Sequence, residues 1–183
     1  LHAISEALNT PMTVPMTVAE GQHVDHPICG ATCTDKYKHS IVTEWKSIDS
    51  EAALQAATEG NYYLTQDIVT METWKPNNNV VLCLNGHSIA ANGDFVVIEI
   101  DKGQFTLCDC NSSESMHYFT TSKEGLFTRW VPCEENTENR ISVTGGVITH
   151  SVGRSDLGVK VDNNATFTMY GGTICGNKLQ GSY

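Results

Sequence analysis

The sequence has few basic residues and no long apolar stretch. Its 183 residues include 11 Lys and Arg against 21 Asp and Glu, which gives a formal net charge of -10. This shortage of positive charge argues against a surface for nucleic acid or anionic lipid. No segment approaches the roughly 20 apolar residues of a membrane-spanning helix, so we expect no membrane insertion.

The N-terminal residues lack the pattern of a secretory leader. Leu1 to Val18 contain no basic start followed by an apolar run, although a secreted protein can already have lost its leader. This absence therefore leaves secretion open. We expect residues 1–22 to form a flexible or peripheral lead segment.

Seven cysteines are more than a cytosolic chain of this size usually keeps, and their odd number leaves at least one outside any intramolecular disulfide. Disulfides outside the cell and thiolates on a metal ion are both compatible with this number. Cys29 and Cys33 lie near histidines, whereas the other five fall in the strand-rich part of the chain.

Residues 23–46 are rich in His and Cys and too poor in apolar residues to make a core. His26, Cys29, Cys33 and His39 have a spacing that can surround a tetrahedral ion, which predicts a structural zinc site. One alternative is a disulfide between Cys29 and Cys33 beside solvated histidines. The other is a segment with neither a metal ion nor a disulfide.

The remainder of the chain predicts one helix followed by many short strands. Residues 47–60 predict a capping helix over 50–58, begun by Asp49 or Ser50 and closed by Gly60. From residue 61 to 183, short alternating segments are separated by turns such as Asn85-Gly86. The predicted fold class is all-β.

A repeat of about 25 residues favours a parallel β-helix over a sandwich. Val80 and Phe105 are equivalent positions in two such copies, and so are Ile141 and Phe167. In the second pair of segments, Gly145-Gly146 falls on Gly171-Gly172 without a gap. We predict about four turns with an insertion over 111–139. The inward columns are Val80, Phe105, Ile141 and Phe167, and Leu82, Leu107, Val143 and Met169. The segments that precede Phe105 and Phe167 also match: Ile98–Ile100 corresponds to Val159–Val161, with a shift of one residue.

Four phrases carry a family resemblance: Asn61-Tyr-Tyr-Leu-Thr, Val81-Leu-Cys-Leu-Asn-Gly-His-Ser-Ile, Phe105-Thr-Leu-Cys-Asp-Cys and Ala165-Thr-Phe-Thr-Met-Tyr-Gly-Gly-Thr-Ile. Together they resemble the large surface proteins of Gram-positive gut anaerobes that contain a right-handed, pectate-lyase-like parallel β-helix. The resemblance covers about residues 26 to 178. It implies secretion or display at the cell surface, a role in adhesion or ligand binding, and a His/Cys-rich patch near residue 30 that favours metal.

The strand-region cysteines predict two disulfides. Cys83 and Cys108 occupy one outward column on adjacent turns, where a separation near roughly 4.8 Å permits a bond. Cys110 then has Cys133, across the insertion, as its expected partner, and Cys175 is left over. A fully reduced set of cysteines is the alternative.

The insertion predicts a binding surface, because solenoid insertions collect on one side and its residue types are common interface anchors. These residues are Met116, Tyr118, Phe119, Phe127, Arg129 and Trp130. In the alternative, residues 126–131 supply the missing strand of the third turn and bury their aromatic rings.

We expect a non-enzymatic adhesion or ligand-binding module whose partner is a host protein or glycan. The outward charges Glu99, Asp101, Arg154, Lys160 and Asp162 do not form a repeated acidic column, which argues against a catalytic face. The alternatives are a carbohydrate-active β-helix enzyme, such as a polysaccharide lyase or hydrolase, and a structural spacer. The last Gly-Gly turn leaves an uncovered edge, so we expect end-to-end self-association, a swapped partner strand, or a longer parent protein in which this turn lies within the stack.

Overall fold

The computed structural model describes residues 45–111, 115–124 and 127–178. Of the residues in these ranges, 52% lie in strands and 5% in a helix, which confirms the predicted all-β class. In chain order, the elements are β1 (Trp45–Ile48), α1 (Glu51–Ala56), β2 (Gly60–Leu64), β3 (Ile68–Thr70), β4 (Val80–Cys83), β5 (Ser88–Ala91), β6 (Ile98–Cys108), β7 (Met116–Glu124), β8 (Phe127–Pro132), β9 (Ile141–Thr144), β10 (Val147–His150), β11 (Val159–Met169) and β12 (Thr173–Ile174).

Two parallel sheets make up most of the described structure. The first sheet has the order β1-β2-β4-β6-β11, and the second has the order β12-β10-β5-β3. The chain passes from the first sheet to the second at β2–β3, β4–β5 and β11–β12. Each pass therefore adds a strand beside the one laid down before it.

The strand register confirms most of the predicted repeat. Val80 pairs with Phe105, Phe105 pairs with Phe167, and Ile148 pairs with Ile174. Strand β11 lies beside β6 from Ile98 and Val159 onward, with one register shift after Val161. These pairs place equivalent residues on one face, as the sequence repeat predicted.

The predicted positions of Ile141 and Val143 are wrong. Both residues lie in β9, which pairs antiparallel with β7 in a separate sheet of order β8-β7-β9. In the first parallel sheet, β4 and β11 already occupy both edges of β6, so no edge is left for β9. The alternative for residues 126–131 is also wrong, because β8 pairs antiparallel with β7 and adds no strand to the stack.

The core lies between the two parallel sheets. Leu82 and Leu107 from the first sheet and Ile89 and Ile148 from the second are fully buried in one cluster. At the side of this cluster, Trp74 contacts Phe105 edge to face with ring centroids 5.5 Å apart. Alternation along each strand sends one set of side chains into the core and the other outward.

Helix α1 is shorter than predicted, and a strand precedes it. Ser50 caps the helix by accepting a hydrogen bond from the Ala53 amide at 3.3 Å. The helix ends at Ala56 with Ala57 as its C-cap, and Gly60 begins β2 instead of closing the helix. Strand β1 was not predicted and pairs in parallel with β2. No helix within the described ranges is long and apolar enough to cross a membrane.

Replacing Ser50 with alanine should lower the free energy of unfolding by about 1 kcal/mol, because the Ala53 amide loses its side-chain acceptor. Urea unfolding followed by circular dichroism measures the change. The exposed residue Ser47 provides the control Ser47→Ala. Equal midpoints for the two variants would contradict the capping role.

Candidate functional site

A groove of about 300 Å³ lies between β7 of the antiparallel sheet and the outer face of the second parallel sheet. Ser88 and Ala90 of β5 and Val147 and Thr149 of β10 form its floor. The wall is formed by 117–119, 132 and 133, and the rim by 151 and 152. We call this space the groove. Its volume is at the small end of the range for small-molecule sites.

The register of β5 and β10 explains the floor. Ser88 lies opposite Val147, and Ala90 lies opposite Thr149. Because side chains alternate, the intervening Ile89 points into the core while these neighbours face outward. Small and β-branched outward side chains leave room above the sheet.

Strand β7 is attached to the body of the protein by the side chains that form the wall. The His117 Nε2–H donates to the Gly86 carbonyl at 2.8 Å, and Phe119 is 1% exposed. On the neighbouring strand, Arg129 Nη1 donates to the Arg154 carbonyl at 2.7 Å. These contacts keep the antiparallel sheet over the groove.

The predicted binding residues divide between the two faces of the antiparallel sheet. Alternation places Met116 and Tyr118 on the opposite face of β7 from His117 and Phe119, although Tyr118 still borders the groove. The Tyr118 hydroxyl lies 3.7 Å from the Met116 sulfur. Met116 is 56% exposed, and the Arg140 guanidinium lies 5.3 Å from the Tyr118 ring centroid. Phe119 is buried, and Arg129 and Trp130 are half-buried. The Phe127 side chain lies outside the described part of the structure.

The sequence did not identify the floor of the groove. Ser88, Ala90, Thr149 and Ser151 were not predicted as site residues, although all of them line it. Their outward positions follow from strand alternation, but alternation does not show which strand pair another element will cover.

None of the described residues that line the groove is Asp, Glu, Lys or Arg. Ser88, Thr149 and Ser151 bring hydroxyl groups that can donate and accept hydrogen bonds. Phe119, Pro132 and Val147 bring apolar surface. This combination suits a neutral ligand with many hydroxyl groups and small apolar faces.

A separate acidic cluster lies on the first parallel sheet. The carboxylate oxygens of Glu99, Asp101 and Asp162 lie within 4.8 Å of one another, although no repeated acidic column was apparent from the sequence. The two oxygens of Glu99 form separate ion pairs with Lys75 and Lys160. Lys160 also lies 3.4 Å from an oxygen of Asp162. The cluster is thus a mixed ion-pair network.

Replacing Glu99 with glutamine should make the free energy of unfolding fall less steeply as the pH is lowered. Hydrogen bonds from Lys160 and Lys75 hold the pKa of Glu99 below its usual range. A lowered carboxyl pKa gives stability that is present above the unfolded pKa of about 4.3 and is lost as pH falls through the folded pKa. Urea unfolding between pH 7 and 3 tests this, with the exposed residue Glu59 as the control Glu59→Gln. An equally steep fall for Glu99→Gln and the wild type would contradict the prediction.

The strand-region cysteines come together more closely than predicted. Cys83 lies directly opposite Cys108 on neighbouring strands, as the sequence repeat indicated. The Sγ atoms of Cys83, Cys108 and Cys110 all lie within 4.8 Å of one another, and this group could hold a metal ion. Cys133 lies at the groove instead. The disulfides Cys83–Cys108 and Cys110–Cys133 remain predictions.

The predicted zinc ligands His26, Cys29, Cys33 and His39 lie outside the described residues, as does the predicted lead segment 1–22. The zinc site therefore remains a prediction from the sequence.

Comparisons of the chain with protein-family models, with curated proteins and with solved structures return no match.

Proposed function

We propose that the two parallel sheets belong to a right-handed parallel β-helix. Each pass of the chain adds one strand to each sheet in sequential order, and equivalent residues of successive sequence repeats pair with one another. Crossover connections between parallel strands are almost always right-handed. This arrangement would make the stack a rigid support for the antiparallel sheet and the groove.

We propose that the protein is a non-enzymatic, extracellular ligand-binding module of a bacterial cell-surface protein, and that the groove is its binding site. The resemblance supports secretion and an adhesive role. The groove supports binding, because it combines a rigid two-strand floor with a wall supplied by an insertion.

The proposed ligand is a neutral host glycan. The observation that carries this proposal is the described part of the groove lining, which has no Asp, Glu, Lys or Arg and sets the hydroxyls of Ser88, Thr149 and Ser151 beside apolar side chains. Sugar hydroxyls can pair with such groups, and the small volume suits one or two sugar units.

A glycan array probed with the full chain tests this proposal. We expect retention on neutral glycans that share a terminal sugar, with little change between low and high salt, because none of the residues described at the groove is acidic, a lysine or an arginine. Retention only on sulfated or sialylated glycans would overturn the assignment of a neutral ligand, and retention on none would overturn the glycan assignment. If no glycan is retained, the remaining candidate functions are binding to a host protein and a purely structural role as a spacer.

The acidic cluster is the observation that favours the enzyme alternative. Three carboxylates beside two lysines resemble the groups that a polysaccharide lyase needs, but both oxygens of Glu99 are already paired with lysines. Incubation with polygalacturonate and calcium tests this alternative. Release of unsaturated products by the wild type, but not by Glu99→Gln, would show that the protein is a lyase and would contradict the binding proposal.

End-to-end self-association is the remaining proposal. Strands β11 and β12 lie at the edges of their sheets, and Val161 of β11 is 42% exposed. Such an edge can accept a strand from a second copy or from further turns. Light scattering over a range of concentrations should show dimers, and Val161→Lys should reduce them. A monomer at all concentrations would contradict self-association.

A further inference from the structure

Three cysteines form a cluster that the proposed binding function does not use. Cys83 lies in β4, Cys108 ends β6, and Cys110 follows shortly after it. Their three Sγ atoms lie within 4.8 Å of one another. Cys83 is fully buried, Cys108 is 3% exposed, and Cys110 is half-buried. The cluster lies outside the main core and is covered by Trp45, Tyr63, Val81 and Tyr170.

The sulfur separations suit coordination of a metal ion. With a metal–sulfur distance of about 2.3 Å, the sulfurs of a tetrahedral or trigonal site lie roughly 3.8–4.0 Å apart. The observed limit of 4.8 Å requires contraction by less than about 1 Å. Because Cys83 and Cys108 come from neighbouring strands in fixed register, two of the three ligands are preorganised.

A backbone contact provides a second observation. The amide of Cys110 donates a hydrogen bond to the Sγ of Cys83 at 3.3 Å. Hydrogen bonds to sulfur stabilise metal-bound thiolates and tune their charge. The hydrogen bond would stabilise the negative charge on the buried Cys83 sulfur when this thiol loses its proton.

We propose that Cys83, Cys108 and Cys110 form a three-thiolate site for a soft d10 metal ion, Cu(I) or Zn(II). Thiolates select these ions over harder cations. Three sulfurs complete a trigonal Cu(I) site, whereas Zn(II) takes a fourth ligand, which water can supply on the half-buried side at Cys110.

Metal binding requires the three thiols to lose their protons, because the thiolate is the form that ligates a metal ion. Binding should therefore release protons and strengthen as pH rises.

Metal titration of the full chain tests the proposal. Cys29→Ser/Cys33→Ser serves as the parent, so that the N-terminal cysteines do not contribute. The reduced parent is titrated anaerobically with Cu(I) against a chromogenic Cu(I) chelator. A second titration uses Co(II), which reports a Zn(II) site through its thiolate charge-transfer band. Cys110→Ser removes the least buried ligand, and Cys133→Ser is the matched control because Cys133 lies at the groove.

We expect the parent to bind one ion per chain in the Cu(I) or the Co(II) titration, and the titration that succeeds identifies the ion. Cys110→Ser should bind on the order of tenfold more weakly or worse, since losing even an outer-shell partner costs about 10–100-fold. Cys133→Ser should bind like the parent, and circular dichroism should show that each variant is folded. Equal affinity in Cys110→Ser, or no binding by the reduced parent, would overturn the site. A Cys83–Cys108 disulfide that resists strong reductant in the folded protein would overturn it too.

Discussion

Replacing Trp74 with alanine is expected to lower the free energy of unfolding by about 3–5 kcal/mol, the usual cost of truncating a buried tryptophan. Trp74 is fully buried, and its indole N–H donates to the Ala57 carbonyl at 3.0 Å. Its backbone also bridges to β6, since the Trp74 amide donates to Val97 and its carbonyl accepts from Glu99, both at 3.0 Å. The side chain thus holds together the segment after α1 and the next turn of the stack.

Urea unfolding measures this effect, and two further variants bracket it. Trp74→Phe keeps an aromatic ring against Phe105 but loses the hydrogen bond to Ala57, so its loss should be intermediate. Met71→Ala is the surface control, because Met71 is 59% exposed. If Trp74→Ala does not fold, the free energy of unfolding of Trp74→Phe can still be compared with that of Met71→Ala. Stability of Trp74→Phe equal to that of Met71→Ala would contradict the core assignment.

Replacing Asp109 with alanine should lower the free energy of unfolding by about 2–6 kcal/mol, because two buried amides lose their acceptors. The two carboxylate oxygens of Asp109 each accept a hydrogen bond at 2.7 Å, one from the Gly86 amide and one from the Gly146 amide. Both glycines are buried, so each amide left without an acceptor costs about 1–3 kcal/mol. Burial raises the pKa of Asp109, and these two bonds offset that cost.

Asp109→Asn separates hydrogen bonding from packing. An amide keeps one acceptor oxygen for one of the two glycine amides, so its stability should fall between the wild type and Asp109→Ala. Hydrogen exchange should also report faster exchange at Gly86 and Gly146 in Asp109→Ala. Unchanged exchange at both glycines would show that Asp109 does not connect these turns.

The repeat could be predicted because stacked parallel strands in register require turns of nearly equal length. That requirement made the pairs Val80–Phe105 and Ile148–Ile174 recognisable in the sequence. The prediction was wrong for Ile141, because alternating apolar and polar residues are equally typical of an antiparallel strand and of a parallel one. Only the occupied edges of β6 decide between the two, and edge occupancy depends on residues far away in the chain. Strand β1 was missed because Ile48 alone is buried within it.

The site was harder to predict than the fold. Residue type singled out the aromatic side chains of the insertion, and period-two alternation already separates Met116 and Tyr118 from Phe119. The floor residues Ser88 and Ala90 have no distinctive chemistry. They become a site only because β7 covers them, which the sequence does not show. The cysteine cluster was partly foreseen through the opposed positions of Cys83 and Cys108, but the approach of Cys110 was not.

If the groove binds a glycan, a side chain that fills the groove should abolish binding. Ala90 forms part of the floor, so Ala90→Phe should occupy the space without disturbing the core. Val69 lies opposite Ala90 on the neighbouring strand β3, is 52% exposed and does not line the groove, which makes Val69→Phe the matched control. Calorimetric titration with the glycan selected on the array should give wild-type affinity for Val69→Phe and no measurable binding for Ala90→Phe. Wild-type affinity in a folded Ala90→Phe variant would contradict the account.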